Sequence, residues 1–64
     1  MQITELRREY RHKQGHWIAF DYKKNLYEVI SEEIFRTAID YHMKDTQVVP
    51  KLNTQQQIIG FEVV

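Results

Sequence analysis

The stretch Thr4-Glu5-Leu6-Arg7-Arg8-Glu9-Tyr10-Arg11-His12-Lys13-Gln14 decides the order of elements in this chain of 64 residues. Its ends carry helix chemistry. Thr4 is a good N-cap, Glu5 suits the positive start of a helix, and Arg11, His12 and Lys13 suit the negative end. Gly15 then offers the left-handed residue that closes many helices. This favours a short helix from Thr4 to Gln14, although its apolar stripe of Ile3, Leu6 and Tyr10 is thin. The rival reading leaves Glu5–His12 extended and pairs it with the next strand through a Lys13-Gln14-Gly15 turn.

Trp17–Tyr22 and Leu26–Ile30 are rich in aromatic and branched side chains and form a hairpin around Lys23-Lys24-Asn25. A three-residue turn pairs Tyr22 with Leu26 and Ile18 with Ile30. It sets Ile18, Phe20, Tyr22, Leu26 and Ile30 on the face expected to pack the core. Trp17, Ala19, Asp21, Tyr27 and Val29 fall on the other. Ser31 caps a helix whose first turn holds Glu32 and Glu33. Its apolar stripe is Ile34, Phe35, Ala38, Ile39 and Met43, with His42 among them, and Glu32–Arg36 and Asp40–Lys44 are spaced as ion pairs. Gln47–Leu52 and Gln57–Val64 read as a second strand pair. Pro50 confines the first to an edge, and Ile59, Phe61 and Val63 alternate inward in the second.

The expected fold is therefore α+β: a small antiparallel sheet of two hairpins with a central helix packed on one face. The order is α-β-β-α-β-β, or β-β-β-α-β-β if the N-terminus is extended. Residues 1–64 make one domain, because a chain this short buries only roughly 60% of its unfolded surface and has room for a single thin core. The strand–strand–helix–strand part of this order is similar, at the level of fold alone, to that of small phage-encoded inhibitors of host enzymes and of small DNA-binding modules.

Composition narrows the function. The chain is 42% hydrophobic and 28% charged, which separates it from disordered chains, and it has no cysteine, so no disulfide or thiolate site. No apolar run is long enough to span a membrane and Met1–Leu6 does not read as a signal peptide, so a cytoplasmic protein without a membrane partner is expected. Formal net charge is zero, but it is unevenly spread. Residues 1–27 carry Arg7, Arg8, Arg11, Lys13, Lys23 and Lys24 against Glu5, Glu9 and Asp21. Residues 28–64 carry Arg36, Lys44 and Lys51 against Glu28, Glu32, Glu33, Asp40, Asp45 and Glu62.

Catalytic chemistry finds little purchase. Ser31, the only serine, is absorbed as a helix cap, and two glycines build no phosphate-cradling loop. His12 and His16 straddle Gly15 without a zincin-like carboxylate, and His42 reads as a packed side chain, so no metal and no cofactor is expected. The expectation is a non-enzymatic regulatory module acting on a protein partner, as an inhibitor would. Trp17, Tyr27 and Val29 are its contact residues, because that face is more apolar than solvent requires. A homodimer through the sheet, or pairing along the terminal strand Ile58–Val64, fits the same surface. The alternative is a small nucleic-acid-binding protein. Arg7, Arg8, Arg11, Lys13, Lys23 and Lys24 would meet phosphates while Trp17, Tyr10 or Tyr27 stack on bases.

Overall fold

A computed structural model of the chain describes residues 2–11 and 14–64. The elements are β1 (Ile3–Arg11), β2 (Gln14–Asp21), β3 (Leu26–Val29), α1 (Glu32–Met43), β4 (Val48–Leu52) and β5 (Ile58–Val63). One α+β domain results, with five strands in a single sheet of order β1-β2-β3-β5-β4 and the helix following β3. Neighbours are antiparallel except β3 and β5, which meet in parallel at Val29 and Ile58. The sheet curls, so that β1 comes back beside β4 although the two are its opposite edges.

The N-terminal segment is a strand and not the favoured helix. The helical look came from Ile3 and Leu6, three residues apart and both packed against the core. A regular strand cannot turn both inward, because its faces alternate with a period of two. A register shift between Ile3 and Glu5 solves this by inserting one residue into the ladder with β2. Gly15 has no positive φ and lies inside β2, opposite Tyr10, so it neither ends a helix nor makes the turn. β5 repeats the device. A shift beside Leu52 lets both Ile58 and Phe61 pack inward while Ile59 points out, in place of the simple alternation expected for that strand.

The core sits under α1 and is built from Ala19, Val29, Phe35 and Ile58, with Leu6, Trp17, Tyr27, Ile39 and Phe61 packed around it. This inverts the expected faces. Trp17, Ala19, Tyr27 and Val29 face the helix, and Phe20, Leu26 and Glu28 lie on the outer side. Small Ala19, fully buried, lets the helix come close enough for Phe35 to seat. Ile18 is buried on the outer side, opposite Arg7, whose guanidinium lies 5.1 Å from the Phe20 ring.

Two hairpin tips share one design. Asp21 Oδ1 accepts the backbone amides of Lys23 and Asn25, each at 2.9 Å, and Lys24 takes φ 69°. Asn53 Oδ1 accepts those of Gln55 and Gln57, also at 2.9 Å, and Gln56 takes φ 62°. The first tip therefore runs through Tyr22–Asn25 and pairs Phe20 with Leu26, two residues away from the register expected from a three-residue turn.

The helix is capped as expected: Ser31 Oγ accepts the Ile34 amide, and Glu32 pairs with Arg36 at 2.9 Å. Its last turn overhangs the core, so His42 and Met43 are exposed rather than packed, and Asp40 and Lys44 form no ion pair. β4 is an edge, which accommodates Pro50. Gln47 turns its carbonyl toward β5 to accept the Val64 amide, so by alternation Pro50 turns its missing donor away from the ladder. The terminal strand is not an edge: β5 lies between β3 and β4.

Candidate nucleic-acid interface

β1 and β2 pair over their full length, but β3 covers β2 only from Trp17 to Phe20. The hairpin beyond Trp17 is therefore a two-stranded arm with no third strand. Arg8 and Trp17 stand at its root, and Glu9, Tyr10, Gly15 and His16 lie beyond them, with Arg7 one pair back opposite Ile18. The Arg11 side chain, His12 and Lys13 lie outside the described residues.

The arm's two faces treat neighbouring arginines differently. On the outer face Arg7 sits between Glu5 (3.1 Å) and Glu9 (3.5 Å), and its charge is answered by both carboxylates. On the inner face Arg8 stands opposite Trp17, and Tyr10 stands opposite Gly15. The Arg8 guanidinium lies 5.0 Å from the Tyr10 ring centre and 5.9 Å from that of Trp17. Among the described residues it meets no carboxylate. A guanidinium over aromatic faces keeps its charge while losing little hydration, so Arg8 remains available to an anion. Gly15 lies beside both rings: a Cβ there would be in ordinary contact, 3.8 Å, with atoms of Tyr10 and of Trp17.

The sequence-derived basic patch does not hold together. Lys23 and Lys24 lie at the far end of β2, about 24 Å from the arm's tip at a strand rise of ~3.4 Å per residue. Lys23 stacks on Tyr22 there. The protein-contact trio is likewise dispersed. Val29 is 2% exposed beneath the helix, and Tyr27 is half-buried with its hydroxyl donating to Asp21 Oδ2 at 3.4 Å. Burial beside the Asp21 carboxylate raises the Tyr27 pKa. Trp17 alone of the three reaches the arm.

Sequence reasoning missed the division of labour between Arg7 and Arg8. The signal was present in their adjacency, since consecutive strand residues point to opposite faces. It also missed a groove of about 500 Å³ where β1 returns beside β4, lined by Ile3, Leu6, Ala38, His42, Val48 and Phe61 among others. No helix among the described residues is long and apolar enough to cross a membrane, and no group of three or more His, Asp or Glu there could hold a metal ion. No family model matches the chain, and neither a curated protein nor a solved structure matches it.

Proposed function

We propose that the protein is a non-enzymatic binding module that grips nucleic acid with the β1–β2 arm. The observation that carries this reading is Arg8, a cation over two aromatic rings at the root of the two-stranded arm and not paired with a carboxylate among the described residues. Cations that neutralise phosphates and rings that stack on bases are the two parts of such a site, and here they share one face. The acidic half of the chain, on the helix and the last two strands, would orient the arm toward a polyanion.

A protein partner is the second reading, favoured by the outer side of the sheet. Leu26 is 53% exposed beside Phe20, and Ile30 is 48% exposed at the end of β3. A regulatory or inhibitory protein contact would use that surface instead of Trp17, Tyr27 and Val29.

Salt separates the two. Fluorescence anisotropy of a labelled mixed-sequence oligonucleotide should rise with tens of micromolar protein near 50 mM salt and fall steeply by about 200 mM, as counterion release demands. Arg8→Gln should weaken binding while Arg36→Gln on the helix leaves it unchanged. Absence of binding at low salt, or binding indifferent to salt, would remove the nucleic-acid reading.

A further inference from the structure

We infer that the arm, if it is the nucleic-acid site proposed above, selects unpaired bases: Tyr10 is its stacking platform, with Arg8 and Trp17 holding that platform in place. Tyr10, the last residue but one of β1, is paired with Gly15 and 66% exposed. Arg8 covers its ring from one side at 5.0 Å, and Trp17, half-buried against the core, anchors Arg8 from below at 5.9 Å. The three groups are flat and conjugated. All three lie on the inner side of the hairpin: Trp17 is the last residue of β2 that β3 covers, through Val29, and Tyr10 lies beyond that cover. A base that stacks on Tyr10 would leave its own phosphate within reach of cations placed along the same hairpin.

Duplex geometry offers no equivalent fit. Paired bases are stacked on one another and present only their edges, so a ring face gains nothing from them. An unpaired base presents its whole face to a flat partner, and base–aromatic stacking is tolerant of sequence because every base has that face. Gly15 stands directly opposite Tyr10, and a Cβ there would lie in ordinary contact, 3.8 Å, with atoms of both rings.

The test compares oligo(dT) of about fifteen nucleotides with the oligo(dA)·oligo(dT) duplex of equal length, at one salt concentration. Anisotropy is read for binding and Trp17 emission for contact with the platform. The single strand should bind at least tenfold more tightly and quench Trp17. Tyr10→Ala should weaken it by about five- to 150-fold, the range measured when a stacking ring is removed. Tyr10→Phe should restore it, because the ring and not the hydroxyl carries the stack. Equal binding of both nucleic acids, with Tyr10→Ala unchanged, would overturn the stacking inference and leave the arm as a phosphate-binding ribbon. Binding of neither would overturn the nucleic-acid reading itself.

Discussion

The two ends of the β1–β2 hairpin are made from the same two strands, yet they obey different rules. At one end Leu6, Ala19 and Asp21 are woven into the core and the first tip, and each is fixed by several neighbours. At the other end Arg8 lies over the Tyr10 and Trp17 rings, and of these only Trp17 also packs on the core. The first end holds the fold and the second is left free for use. Both ends leave one tyrosine largely exposed, Tyr22 at 61% and Tyr10 at 66%, but only Tyr10 shares its cation with a second ring, that of Trp17.

The largest effect should come from breaking the core end. Phe35 is 7% exposed and packs on Ala19, Val29 and Ile58. Phe35→Ala should cost about 3–5 kcal/mol, much of the stability of a small domain. Chemical denaturation checks this, and a loss under ~1 kcal/mol would show that the helix does not seat through Phe35.

Next in size is the Asp21 tip. Asp21→Ala removes the acceptor of four hydrogen bonds at a 3% exposed site and should lower the melting temperature by about 10 °C. Asp21→Asn should lower it much less at pH 7, because Asn53 performs the same turn with an amide. The two differ in acid. Burial raises the Asp21 pKa, but hydrogen bonds from the Asn25 side chain and amide, the Lys23 amide and Tyr27 bring it below the ordinary value of 3.8. A carboxyl lowered in the folded state contributes stability that is complete above its unfolded value and is lost as the pH falls below it. Wild type should therefore lose stability below about pH 4 through Asp21, and Asp21→Asn should lose less over the same interval. Parallel acid curves for the two proteins would contradict this.

How much of this was legible in the sequence differs from element to element. Ser31, Glu32 and the spacing of Phe35 and Ala38 wrote α1 plainly, because a helix is specified by neighbours within a turn. β1 was misread because its bulge sets Ile3 and Leu6 three residues apart, the spacing of a helix, and a bulge depends on a partner strand that local pattern cannot name. The inverted faces have the same cause. Either side of β2 is apolar enough for a core, and the choice is made by distant Phe35 and Ile58. Asp21 read as a stray anion because its donors are gathered only once the turn forms. At the candidate site, the arm's cations, Tyr10 and Trp17 could all be named from sequence. Their separation from Lys23 and Lys24, and the contrast between Arg7 and Arg8, needed the strands laid side by side.

The smallest effects on stability should fall on the arm. Arg7→Ala removes two exposed ion pairs and Arg8→Ala removes two ring contacts. Each should change folding free energy by no more than about 1 kcal/mol. Binding should tell them apart, with Arg8→Ala weakening oligonucleotide affinity more than Arg7→Ala, since Arg7 is already engaged by Glu5 and Glu9. Equal losses would erase the distinction between the faces.

The most direct measurement of the central claim is a titration of the ¹⁵N-labelled protein with oligo(dT), followed by amide chemical shifts. The account predicts that the largest shifts fall on residues 8–17 and the Trp17 indole, while Phe35, Ala38 and the β4 and β5 amides stay in place. Shifts centred instead on Leu26, Ile30 and the outer side of the sheet, or spread evenly over the chain, would contradict the assignment of the arm as the binding end.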